Sequence, residues 1–290
     1  MSSAVPSDPR PASTVVVLRD SAAGPEVFLV RRHEQTAFMG GAHVFPGGRV
    51  DAVDRHGNPA WCDGVAHATK QLETLAPGEA VAYHVAAVRE LFEEAGVLLA
   101  RDAAGAFVSL ASASDHARFK HDREEVHAGR TSLRALVDRE RLRLALDTLV
   151  LFSHWVTPPI DTRQFDTRFF MTRIPPDQTP AHDESETTHS AWITPAHAMA
   201  QARTGEIVLP PPTWTTLREL EAFASVEEAL AWAHTRRVTR RMPKVLEHEG
   251  RRLLVLPGDP LHPDAAGEDA PAETRFAFID RRWRAERART

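Results

Sequence analysis

The stretch Glu79–Ala95 constrains the fold of this chain most, because it carries a strong helical pattern and stops at Gly96, a residue type suited to the position just past a helix end. At about 100° per residue, Val88, Leu91, Phe92 and Ala95 fall between about 100° and 200°, a face suited to a core. Glu90, Glu93 and Glu94 fall at roughly 0°, 300° and 40°, so three carboxylates share an arc of about 100°. Glu90 and Glu94 repel each other as an i, i+4 pair, and Arg89, four residues before Glu93, offsets part of that repulsion. A hard divalent cation taking oxygen ligands would neutralise the remainder. A pair of glutamates on an amphipathic helix is ordinarily just its solvated face. Here the company weighs against that reading: a Phe45-Pro46-Gly47-Gly48 turn precedes the helix and Ala95-Gly96-Val97 ends it.

Strands and helices are mixed along the rest of the chain. The apolar runs Thr14–Leu18 and Val27–Val30, joined by the turn-like Asp20–Pro25, predict a strand pair, and His43–Gly48 predicts a short strand ending in a Gly-Gly turn. Residues 51–78 mix Asp, Gly, Pro, Asn and Trp without a period and read as an inserted loop. Helices are expected around Asp115–Val126 and Leu133–Leu146, strands over Leu149–Val156 and Phe165–Ile174, a further strand ending at Trp192-Ile193, and a helix opening at Pro195. Pro210-Pro211-Pro212 is the strongest internal punctuation. Beyond it Thr213–Phe223 and Val226–Arg236 read as helices, Leu253–Leu256 and Arg275–Ile279 as strands. This mixture argues for an α/β or α+β architecture.

Composition excludes several classes. A net charge of -5 without a basic tail is wrong for a non-specific nucleic-acid binder. Lys occurs only at Lys70, Lys120 and Lys244, so nearly all positive charge is Arg. The lone Cys62 rules out an intrachain disulfide and a Cys-rich zinc site. No apolar run approaches about 18 residues and the first residues carry no signal-peptide core, so a soluble cytoplasmic protein without membrane partners is expected. His33-Glu34 begins like a zinc-protease helix but lacks the second His, and neither GxSxG, GxGxxG nor a P-loop occurs.

Residues 89–97 resemble the second half of the Nudix box, Arg-Glu-aliphatic-x-Glu-Glu-x-Gly-aliphatic, position for position. The first half of the box, a glycine followed six positions later by glutamate, is displaced. Gly48 and Arg89 are 41 positions apart where the family has 14, so an insertion splits the box. Six positions after Gly48 stands Asp54, and eight before Arg89 stands Val81, which leaves Asp54 and Glu79 as candidates for the missing acid. The split box, together with Phe38–Asp51, Trp155–Pro159, Phe165–Phe170 and Leu256–Pro260, resembles the branch that includes peroxisomal coenzyme A diphosphatases and bacterial relatives. The likeness runs from about Val15 to Trp283.

The resemblance implies a Nudix-type α/β/α sandwich with a mixed sheet, an insertion within the box and a helical C-terminal extension. A disordered lead-in over 1–12 would precede a Nudix domain over 13–209, with its insertion at about 51–78, and an extension over 210–290 packed on it. It implies hydrolysis of a nucleoside diphosphate linked to another group, with coenzyme A or acyl-CoA first. ADP-ribose or NADH is the alternative within enzymes, and a non-catalytic nucleotide-binding module the alternative outside them. Glu90, Glu93, Glu94 and the Gly47 carbonyl would hold Mg²⁺ or Mn²⁺, Glu93 and Glu94 would be catalytic, and Arg89 would orient the carboxylates. Within Asp183-Glu184-Ser185-Glu186, Glu186 is expected as the base, with Glu184 second. Arg49, Arg163 and Arg168 are candidates for the substrate phosphates. Asp166 and Arg168 should share one strand face, so a structural ion pair competes with that role. Trp155, Trp192 and Trp214 read as packing residues. The expected partner is a small nucleotide substrate, with a homodimer possible.

Overall fold

The computed structural model describes residues 8–34, 40–159, 163–183, 187–280 and 282–287. β1 (Arg10–Ser21) and β2 (Gly24–Arg32) form an antiparallel hairpin, with Ser21 opposite Gly24. β3 (His43–Val44) then pairs with β2, and β4 (Gly47–Arg49) with β1. A 3-10 turn (Ala52–His56), β5 (Cys62–Asp63) and α1 (Val65–Gln71) lead to α2 (Pro77–Ala95). β6 (Ala100–Arg101), α3 (Ala113–His127), α4 (Leu133–Glu140) and β7 (Arg143–Ala145) follow. The chain returns through β8 (Val150–Val156), β9 (Phe165–Arg173), β10 (Thr187–Ile193), α5 (Pro195–Thr204), α6 (Pro211–Leu220) and α7 (Val226–Thr235). It ends in β11 (Arg240–Arg241), β12 (Lys244–His248), β13 (Arg251–Val255), β14 (Arg275–Ile279) and β15 (Arg282–Glu286).

The main sheet runs β10-β2-β1-β9-β8-β11 and is mixed, since β1 pairs parallel with β9 while the hairpin is antiparallel. Val15, Val16, Val17 and Leu18 on β1 are all completely buried, a continuous apolar run that only a strand covered on both faces can use. Val15, Val17, Phe28 and Phe170 meet α2 on one face. Val16, Leu18, Leu29 and Met171 meet Met199, Leu217 and Ala229 of α5–α7 on the other. Three layers, α/β/α, result.

Several expectations change, the first being that the lead-in expected over 1–12 is already strand from Arg10. Residues 51–78 are not a bare loop, since they hold the 3-10 turn, β5 and α1, and β5 joins β7 and β6 in a small sheet. The helix expected over Leu133–Leu146 stops at Glu140, because Arg141 turns left-handed (φ 55) and Leu142, Leu144 and Leu146 continue at the period of a strand. The extension after Pro210 also carries more than helices: β12-β13-β14-β15 form an antiparallel sheet that places Leu254 and Phe276 in the second core. Among the described residues no helix is long and apolar enough to cross a membrane.

α2 starts with Pro77 in its first turn and ends on Gly96 at φ 68, the two residues best suited to those places. Every residue from Ala80 to Ala95 is buried except Glu90 and Glu93. The inserted segment explains this, because Trp61, Ala68 and Leu72 cover part of the helix that the sheet does not. Its deepest polar group is His84, wholly buried. Nδ1 lies 2.8 Å from the Ala80 carbonyl and Nε2 3.3 Å from Gln71 Nε2, so the neutral ring donates at Nδ1 and accepts at Nε2.

Burial pulls the pKa of His84 from 6.5 to about 4. The unfolded chain therefore binds the extra proton first as pH falls. This contribution to stability is complete above about pH 6.5 and is lost as pH drops towards 4. Thermal melts at pH 7 and pH 5 should show a larger loss for the native chain than for His84→Asn. Equal losses would contradict this.

Candidate active site

The site is built where β4 crosses against α2. At Gly47 an added Cβ would stand 2.3 Å from the Ser13 carbonyl oxygen, and at Gly48 one would stand 2.5 Å from the Glu90 carboxyl carbon. Glycine at 47 lets β4 lie close against β1, and glycine at 48 leaves the Glu90 carboxylate the space it occupies. Two hydrogen bonds fasten β4 to α2. The Gly47 N–H donates to Glu94 Oε2 (2.8 Å), and Arg89 Nη2 donates to the Arg49 carbonyl (2.8 Å).

Arg89, only 7% exposed, is the hub. Its Nε and Nη2 donate to the two Asp54 oxygens, each at 2.9 Å, and its Nη1 donates to Glu90 Oε1 (2.8 Å) and Glu93 Oε1 (3.1 Å). Asp54, 1% exposed, also accepts the Asp51 N–H at 2.8 Å. Glu79 lies elsewhere, in a surface pair with Arg55 at 2.8 Å. Of the two candidate acids, Asp54, six positions after Gly48, is therefore the one that reaches Arg89. An aspartate is shorter than a glutamate by one methylene, and the 3-10 turn at Ala52–His56 carries it to Arg89.

The electrostatics follow from burial. Burial works against the charge of Arg89, but Asp54 and the two glutamates outweigh it and hold its pKa above the usual value. Burial pushes the Glu90 carboxyl up to about 7, with Arg89 pulling the other way and the Glu93 charge adding to the rise. Such a carboxylate gains from a nearby cation.

Among the described residues no three His, Cys, Asp or Glu side chains already meet as a metal site. The glutamates instead satisfy Arg89 and the Gly47 N–H. The donor set nevertheless fits a hard divalent cation in kind, being carboxylate oxygens beside a backbone turn that carries no side chain.

Of the residues singled out in the sequence, Glu90, Glu93, Glu94, Arg89 and Gly47 come together. Arg49 contributes its carbonyl, while its side chain is exposed and 4.0 Å from Asp51. Arg163 is exposed. Arg168 is 6% exposed, contacts Asp166, and lies over the Tyr83 ring at 5.2 Å, two turns before Glu90 on α2. Asp166 also meets His154 Nε2 at 2.8 Å, so Arg168 shares its carboxylate partner with a histidine. Glu184 and Glu186 lie outside the described residues, as do Phe38 and Met39. Just before that acidic segment, the Ala181 N–H donates to the Ala95 carbonyl at the end of α2 (3.0 Å).

Sequence reasoning missed Arg123 and His127. Arg123 Nε donates to the Glu93 carbonyl (2.8 Å), and His127 Nδ1 stands 3.6 Å from Glu93 Oε2. Both come from α3, whose charged sequence reads as ordinary helix surface. On the opposite sheet face a cavity of about 1000 Å³ lies between β2, β10 and α5, lined by Leu29, Arg31, His43, His189 and Ile207 among others.

A family model, the NUDT19 Nudix domain, matches residues 65–220. The chain is 32% identical over 292 residues to the acyl-coenzyme A diphosphatase NUDT19 of Homo sapiens, covering 83% of this chain and 73% of that protein. The protein of the same name from Xenopus laevis is 28% identical over 276 residues, covering 82% of this chain and 72% of that one. Among solved structures, a NUDIX hydrolase from Alicyclobacillus acidocaldarius superposes with a TM-score of 0.63 at 28% identity, covering 77% of this chain and 96% of that one. On the match of that family model over more than half of its length and of the human relative over most of it, the chain belongs to the Nudix hydrolases, in the family of the NUDT19 Nudix domain.

Proposed function

We propose that this hydrolase cleaves the diphosphate of coenzyme A or acyl-CoA, releasing 3′,5′-ADP and 4′-phosphopantetheine or its acylated form. The observation that carries the reading is the cluster of Glu90, Glu93 and Glu94 around Arg89 beside the Gly47-Gly48 turn. Support for the substrate comes from the relatives named acyl-coenzyme A diphosphatase, which align over most of the chain.

Glu90, Glu93, Glu94 and the Gly47 carbonyl would hold a divalent cation, Mg²⁺ or Mn²⁺, which would neutralise phosphate charge and lower the pKa of a water bound to it. Arg89 keeps two of the carboxylates in place, and Asp54 keeps Arg89 in place. Glu186, with Glu184 as second choice, takes the proton of the attacking water. Arg49 and Arg163, both exposed, are assigned to the substrate phosphates, whereas Arg168 is assigned to its pair with Asp166.

The test is a panel of coenzyme A, acyl-CoA, ADP-ribose and NADH with Mg²⁺ or Mn²⁺, compared by kcat/KM. A coenzyme A compound should lead. A preference for ADP-ribose or NADH above about tenfold, or about 1.4 kcal/mol, would overturn the substrate assignment.

A further inference from the structure

α3 lies outside the Nudix box, yet it touches one residue of the box twice. Arg123 Nε donates to the Glu93 carbonyl at 2.8 Å, satisfying one of the last carbonyls of α2 with a cation where a cation is favoured. One turn further on, His127 Nδ1 stands 3.6 Å from Glu93 Oε2. Arg89 uses the other oxygen, Oε1, at 3.1 Å. Glu93 is thus held at its backbone by Arg123 and at one carboxylate oxygen by Arg89, with His127 within ion-pair distance of the other.

The helix carrying these contacts has its own anchors. Phe119 and Val126 are buried in the first core, and Arg139 of α4 pairs with the buried Asp122. Gly96 also fits the arrangement, because a Cβ there would come within 3.2 Å of Arg123 Nη1. Loss of the His127 ring would therefore leave the seating of α3 in place. His127 itself is partly exposed, with 30% of its side-chain surface open.

We propose that His127 is a positioning residue for Glu93, and that through it α3 sets how tightly the site holds its divalent cation. The proposal rests on the reading of Glu93 as a metal ligand. A carboxylate fixed before the metal arrives loses less rotamer freedom on ligation. Partners that fix a ligand from behind are worth about 10- to 100-fold in metal affinity.

The experiment is a Mn²⁺ titration of the metal-free protein, followed by the electron paramagnetic resonance signal of free Mn²⁺, on the native chain and on His127→Ala, His127→Asn and Glu93→Gln. His127→Ala should weaken Mn²⁺ binding about tenfold. His127→Asn, which keeps an N–H near the place of Nδ1, should recover most of the loss. At saturating Mn²⁺ the KM of the alanine variant should stay within about twofold of native. Native affinity in His127→Ala would overturn the proposal, and if Glu93→Gln has lost affinity, the metal-ligand reading survives that result. Native affinity in Glu93→Gln would overturn both. Should His127→Ala fail to fold, His127→Gln takes its place, with its amide displaced from Nδ1. It must then bind more weakly than His127→Asn, and equal affinities would overturn the proposal.

Discussion

Glu94→Gln is expected to lower kcat by about 100-fold or more while the melting temperature stays within about 3 °C of the native chain. The two effects separate because of what Glu94 does in the fold. It is 9% exposed, and one of its oxygens accepts the Gly47 N–H at 2.8 Å. The amide of glutamine keeps the volume and an oxygen able to accept that bond, so the glycine turn keeps its place. What disappears is the negative charge, and with it a strong oxygen donor for a divalent cation. Steady-state turnover with thermal melts on the same preparation checks both halves. Turnover near the native rate would remove Glu94 from the site. A collapse of stability would make it a structural residue first.

Asp54→Asn should cost stability and activity together. Arg89 is buried, and Asp54 accepts two of its hydrogen bonds. Removing one partner of a buried pair leaves charge that water cannot reach, at a cost of about 3–5 kcal/mol when nothing replaces it. The asparagine oxygen replaces one acceptor but not the charge, which places the expected loss near the lower end of that range. Arg89 also holds Glu90 and Glu93, so turnover should fall as well. The paired control is Glu79→Gln, whose exposed bridge to Arg55 is worth about 0–1 kcal/mol. Urea denaturation and turnover on the two variants decide which acid completes the split box. Similar losses from both would contradict the place given to Asp54.

The features legible in the sequence were those with a period or a cap. α2 announced itself through its apolar spacing and Gly96, and the β1–β2 hairpin through two β-branched runs around a turn. The carboxylates were legible because the helix period puts them on one arc. β5, β6 and β7 were not legible, since strands of two or three residues are too short to show alternation, and their partners lie far apart in sequence. β12 and β15 went unseen for a related reason: each is five residues long with only two apolar side chains, Val245 and Leu246 in one and Trp283 and Ala285 in the other. Asp54 was reachable by counting from Gly48, but the choice between it and Glu79 needed the bond to Arg89. His127 gave no signal, because its meaning comes from a contact with Glu93 that no spacing encodes.

The most direct measurement is the release of 3′,5′-ADP from coenzyme A by the metal-free chain, before and after Mg²⁺ is added, resolved by chromatography. A diphosphate hydrolase that works through Glu90, Glu93 and Glu94 should release 3′,5′-ADP and 4′-phosphopantetheine in equal amounts once Mg²⁺ is present, and neither without it. Equal release with and without the cation, or products cut at any bond other than the diphosphate, would contradict that reading.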